Sequence, residues 1–127
     1  IKNREPVFVL NNEFFYDKDL HPFKYDLSRN DLIVAKGPID RPKTILQLIE
    51  EIESISNAQF KIREINYSYV NGWDVVSDKT LIRFGNELSE KRFKNFKDTS
   101  NYLLDIGKIP SIIDMRYKDG VALNYGK

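Results

Sequence analysis

Hydrophobic positions in this chain fall mostly into short runs with a period of two, interrupted twice by longer stretches in which they recur every three or four residues. Val7 to Leu10 and Glu13 to Tyr16 read as two short strands broken at Asn11-Asn12, with Asp17-Lys18-Asp19 as the next turn. His21-Pro22 and the polar positions Asp26, Ser28, Arg29 and Asn30 read as a loop. A strand over Leu32 to Ala35 follows, and Gly37-Pro38 stops it. The clearest helix begins at Thr44, whose hydroxyl is placed to cap the first turn; Gln47 completes a capping box and Pro42 lies just outside. Ile45, Leu48, Ile49, Ile52 and Ile55 then make one apolar stripe, which needs a sheet to pack against.

From Phe60 the period returns to two. Phe60 and Ile62 share a face, and Ile65, Tyr67 and Tyr69 alternate again after a one-residue shift near Arg63-Glu64, which a β-bulge explains. Asn71-Gly72 is a turn, Trp73 to Val76 and Leu81 to Phe84 are strands, and Asp78-Lys79 joins them as a hairpin. Asn86 is placed to cap a second helix running to about Leu104, with Leu88, Phe93, Phe96 and Leu103 inward, and Gly107 ends it. Ile112 to Tyr117, a turn at Lys118-Asp119-Gly120 and Val121 to Tyr125 complete a terminal hairpin.

Two helices among about eight short strands in mostly hairpin order predict an α+β domain, with both helices laid on one face of a largely antiparallel β-sheet. The terminal β-hairpin is expected at or near the sheet edge, where unpaired backbone groups accept another chain's strand. At 127 residues with 41% hydrophobic content, one compact core over 1–127 is expected. Twenty basic residues against nineteen acidic ones, interspersed throughout, provide no field for gathering phosphates, so nucleic acid is a poor partner. No apolar run approaches the length of a membrane span, and the absence of cysteine excludes disulfides and thiolate metal sites.

The chemistry available is thin. The one histidine, His21, precedes a proline in a loop, and Asp17 and Asp19 lack the spaced oxygens and closing glutamate of a calcium loop, so turn roles are expected and no metal or cofactor. Glu50, Glu51 and Glu53 lie opposite the isoleucine stripe and read as a solvated helix face rather than paired catalytic carboxylates. Tyr67, Tyr69 and Trp73, with Lys61 and Arg63 nearby, read first as the buried face of a strand. The alternative is an aromatic face that binds peptidoglycan or another glycan. No constellation for catalysis stands out, and a binding role is expected rather than an enzyme.

The terminal hairpin narrows the picture. Ile113-Asp114-Met115-Arg116-Tyr117-Lys118-Asp119-Gly120-Val121-Ala122 resembles the V-D-L-R-Y-x-x-G-x-A signature of the FtsQ/DivIB family of bacterial cell-division proteins. Further pieces fall in that family's order: Arg4-Glu5-Pro6-Val7, Leu32 through Gly37-Pro38, Trp73 opening a strand, and Leu81-Ile82-Arg83-Phe84-Gly85 before a helix containing Glu90-Lys91-Arg92-Phe93. The resemblance implies the extracytoplasmic β domain of a single-pass inner-membrane protein, with the transmembrane segment and a small POTRA domain upstream. It implies a divisome scaffold at the septum that catalyses nothing, binds FtsB together with FtsL, and links early division proteins to septal peptidoglycan synthesis.

On that resemblance the partner adds a strand along Val121 to Tyr125, with Leu123 in the ladder, Tyr117 and Tyr125 as aromatic anchors, and Arg116 and Asp119 as charged contacts. Gly120 is expected to admit the incoming backbone or to take a positive φ. Some members carry tryptophan where this chain has Tyr125, and arginine where it has Val70 and Asn71. Arg63 or Lys61 would replace that arginine if the sheet brought them near.

Overall fold

The computed structural model describes residues 6–24, 32–56, 60–117 and 120–125. Arg4-Glu5, the polar positions from Asp26 to Asn30, the side chain of Ile55, and Lys118-Asp119 lie outside that description. The chain runs β1 (Pro6–Leu10), β2 (Phe14–Asp17), β3 (Pro22–Lys24), β4 (Ile33–Lys36), α1 (Pro42–Ser56), β5 (Ile62–Ser68), β6 (Gly72–Ser77), β7 (Leu81–Gly85), α2 (Glu90–Ile106), β8 (Ile112–Asp114) and β9 (Ala122–Asn124). The strands form a single nine-stranded sheet in the order β3-β2-β1-β4-β5-β6-β7-β8-β9. Pairing therefore follows the chain from β4 onward, whereas β1 sits between β2 and β4.

Five of the eight pairings are antiparallel and three parallel, so the sheet is largely antiparallel as expected. Each helix bridges a parallel pair: α1 carries the chain from β4 to β5, and α2 from β7 to β8. Antiparallel neighbours close with tight turns, but parallel neighbours need a long crossover, and the two amphipathic segments supply it. Ile45, Leu48, Ile49 and Ile52 from α1 and Phe93, Phe96 and Leu103 from α2 belong to one buried cluster, so both helices cover the same face.

Register makes that face continuous. Leu10, Ala35, Ile65, Val75, Ile82, Ile113 and Leu123 are direct cross-strand partners in sequence and form an apolar row from β1 to β9. One residue along, Lys36, Asn66, Asp74, Arg83, Asp114 and Ala122 form a parallel row on the opposite face. Asp74 and Arg83 are ion-paired at 3.3 Å in that second row. The bulge expected near Arg63-Glu64 is present: the β5–β6 register shifts between Ile62 and Glu64, which returns Ile65 and Tyr67 to the helix-covered side.

Several boundaries differ from expectation. α1 starts at Pro42, so the proline occupies the first turn, where its missing N–H costs nothing, and Thr44 lies inside the helix. α2 is capped by Ser89, whose hydroxyl accepts the Arg92 N–H at 3.2 Å, rather than by Asn86. β3, starting at Pro22, adds a strand where a loop was expected. Gly107 ends α2 in the left-handed conformation, with its N–H donating to the Leu103 carbonyl.

Candidate functional site

β9 is the last strand of the sheet order, so one of its sides faces no other strand of the sheet. At its end the Asn124 carbonyl accepts both the N–H of Ser111 at 2.7 Å and its hydroxyl at 2.8 Å, which aims that carbonyl at β8. Backbone groups alternate sides along a strand, so the N–H and C=O of Leu123 project to the open edge. Its side chain packs with that of Val121 against the core. Backbone at Leu123 is thus offered outward while its side chain anchors the strand.

The aromatic and charged residues lie at the two ends of this edge. Because Ile112 pairs with Asn124 and Asp114 with Ala122, Tyr125 falls at the start of β8 and Arg116-Tyr117 beyond its end. Tyr125 is exposed, and the Lys108 ammonium lies 5.8 Å from its ring centroid. Tyr117 is also exposed, and with Arg116 it borders a cleft shared with Ser89, Lys91 and Arg92 at the start of α2. The expected site residues are strung along a strip and do not converge on a pocket, which suits an extended partner better than a small molecule.

Arg116 is held firmly. It forms a bidentate pair with Asp114, with Nε to Oδ1 at 2.8 Å and Nη2 to Oδ2 at 2.7 Å, and its backbone N–H also donates to Oδ1 at 3.1 Å. That last bond turns the chain out of the ladder, so β8 ends at Asp114 rather than reaching Tyr117. The Arg116 side-chain hydrogen bonds hold the Asp114 carboxyl below its ordinary value of 3.8, against the opposing effect of burial. Gly85, at φ 77°, makes room: a Cβ there would lie 3.0 Å from the Arg116 Cγ. A Cβ at Gly120 would meet nothing within 4 Å, so the space around it is open. Asp119 lies outside the described residues.

Sequence reasoning missed two supports, the Ser111 clamp on Asn124 and Lys108 over Tyr125. Neither has a local signal, since each depends on the α2–β8 loop folding against β9. Arg63 is not brought near the spot held by Val70 and Asn71: it pairs with Asp78 and sits at the start of β5, whereas Val70 and Asn71 follow its end. Lys61, just before β5, lies at the same end as Arg63.

Elsewhere, Asp17, Asp19 and His21 bring ligand atoms within 4.8 Å of one another. The buried Asp17 carboxylate already accepts the N–H groups of Asp19 and His21, both at 2.9 Å, which accounts for it as a turn former. Trp73 is 8% exposed and belongs to the core cluster, so it presents little ring surface for stacking a sugar. Among the described residues, no helix is long and apolar enough to cross a membrane.

The model of the family "Cell division protein FtsQ/DivIB, C-terminal" matches residues 9–116, so the match stops where the candidate strip begins. Two curated relatives extend through it: the "Cell division protein FtsQ" of Neisseria meningitidis is 29% identical over 98% of this chain, and that of Neisseria gonorrhoeae is 28% identical over the same share. The chain spans about half the length of these relatives, 54% and 53% respectively. With the family model covering most of the chain, this protein belongs to the FtsQ/DivIB cell-division family and corresponds to its C-terminal domain.

Proposed function

We propose that this domain serves cell division as a binding scaffold that receives a strand of FtsB, itself paired with FtsL, along the outer side of β9. The observation that carries this reading is the edge position of β9, with the Leu123 backbone directed outward and its side chain continuing the core row. Main-chain bonds to the added strand supply affinity, and alternate side chains supply specificity. The two cross-sheet rows define the partner's pattern. Its residue opposite Leu123 is apolar and faces the helices, and its residue opposite Ala122 is polar and faces the other side. Tyr117 and Tyr125 anchor the two ends, and the partner's strand passes over the open ground at Gly120. The domain acts outside the cytoplasmic membrane, behind an upstream anchor and POTRA domain, and joins early division proteins to septal wall synthesis without catalysing a reaction.

Calorimetric titration with the extracytoplasmic segment of the same organism's FtsB, alone and fused to FtsL, tests this. Saturable binding is expected. A folded Leu123→Pro variant, lacking the outward N–H, should lose it, and Tyr125→Ala should weaken it by roughly 1–3 kcal/mol. Wild-type affinity in folded Leu123→Pro would place the partner on another surface.

A further inference from the structure

The outer side of β9 is open to more than one kind of strand. The Met115 N–H donates to the Arg83 carbonyl at 2.8 Å and the Leu81 N–H to the Ser111 carbonyl at 2.9 Å, so odd-numbered positions of β8 turn their backbone toward β7. The backbone of Ile112 and Asp114 therefore faces β9, where these residues pair with Asn124 and Ala122. That phase leaves Val121, Leu123 and Tyr125 with their N–H and C=O groups on the outer side. The stretch Val121-Ala122-Leu123-Asn124-Tyr125 carries no charge and no proline. Natural sheets blunt an exposed edge with such residues, and the β3 edge of this sheet carries Pro22 and Lys24.

Phase and sequence together make this edge complementary to itself. Two copies of β9 laid antiparallel, with Leu123 opposite the other copy's Leu123, place a two-fold axis between those residues. Each Leu123 then exchanges both backbone bonds with its counterpart, and each Val121 does so with the other copy's Tyr125. A shift of two residues in either direction leaves Tyr125 or Val121 without a partner inside the strand. The side chains agree with the central register. Leu123 against Leu123 carries the apolar cross-strand row into the second copy. Val121, packed on the core, meets the exposed ring of Tyr125, a pairing of β-branched and aromatic side chains that strands favour. On the other face Ala122 meets Asn124, both exposed, so no like charges are opposed. The axis runs perpendicular to the sheet, so the helices of both copies lie on one side.

We infer that β9 pairs with β9 of a second copy of this chain in this register, forming a symmetric dimer that the partner's strand must displace. The inference rests on the same open edge as the scaffold reading and adds a competitor for it. A single pair of short strands falls short of the roughly 1,000 Å² that a lasting interface needs, so the dimer is weak and forms where copies are concentrated. It covers ladder groups that would otherwise template irregular association. The outer side of β9 has room for one strand at a time. Binding of the partner therefore weakens as the concentration of the domain rises.

The chain has no cysteine, so single introduced cysteines report the register. In the dimer, Ala122 and the other copy's Asn124 are opposite each other without exchanging bonds, about 4.5 Å apart between Cα atoms, which a disulfide spans. Two copies of Ala122, or two of Asn124, are diagonal neighbours more than about 7 Å apart, beyond its reach. Ala122→Cys and Asn124→Cys chains are oxidised separately and as an equal mixture. The mixed disulfide is expected to form roughly tenfold faster than either self-linked product. It should be lost when Leu123→Pro is added to both chains, or when the FtsB segment is in excess. Equal rates in all three samples, no linkage at all, or a mixed disulfide that persists in a saturated FtsB complex would overturn the inference. Titration of the wild type with the FtsB segment keeps the two readings apart. Binding without register-specific linkage removes the dimer alone, and linkage without binding removes the FtsB reading alone.

Discussion

Ser100 sits on the buried side of α2, 1% exposed, and its hydroxyl has no hydrogen-bond partner. An unpaired buried hydroxyl carries a desolvation cost that its removal relieves, so Ser100→Ala is expected to leave stability unchanged or raise it by about 1 kcal/mol. Urea unfolding of the two proteins checks this, and a loss above that size would mean the hydroxyl is bonded. Asp114 is the opposite case, a carboxylate fully engaged by Arg116. Its folded-state pKa is lowered, so the pair adds stability that is present above the ordinary carboxylate value and fades as pH falls through the lowered one. The stability gap between wild type and Asp114→Asn should therefore be constant from neutral pH to about pH 5 and shrink below about pH 4. A gap that does not depend on pH would show that Asp114 acts through shape and not through charge.

Each helix begins at a residue that sequence and structure weigh differently. Ser89→Ala should cost about 1 kcal/mol through loss of the bond to the Arg92 N–H, whereas Asn86→Ala, three residues before that cap, should cost close to nothing. Thermal unfolding of both variants separates the two starts. Local signals explain why the rest of the element list was legible. The Asn11-Asn12 turn has both residues at positive φ, at 50° and 57°, as a tight hairpin needs, and the bulge at Ile62–Glu64 appeared as a slip in alternation. Short capping sequences are degenerate, so Thr44 and Asn86 looked as suitable as the actual starts. β3 was not legible because Pro22 opens it and it exists only by pairing with β2. The parallel contacts of β1 with β4 and of β7 with β8 depend on chain segments far apart in sequence, which no window of residues reveals.

At the scale of the whole molecule, the sheet is ordered by two cross-strand rows that run outward and reach β9 without an interruption in register. The candidate residues came mainly from the family signature around Arg116 and Tyr117, and the edge position expected of the terminal hairpin is where the sheet order puts β9. The β3 edge at the other end opens with a proline, which removes one ladder donor there. That asymmetry favours β9 over β3 for the strand addition proposed. The most direct measurement is amide hydrogen exchange at Leu123 with and without the FtsB segment. Strand addition predicts that the Leu123 amide becomes strongly protected on binding while amides of β3 stay as they were. A saturated complex in which Leu123 exchanges at its free rate would contradict the account.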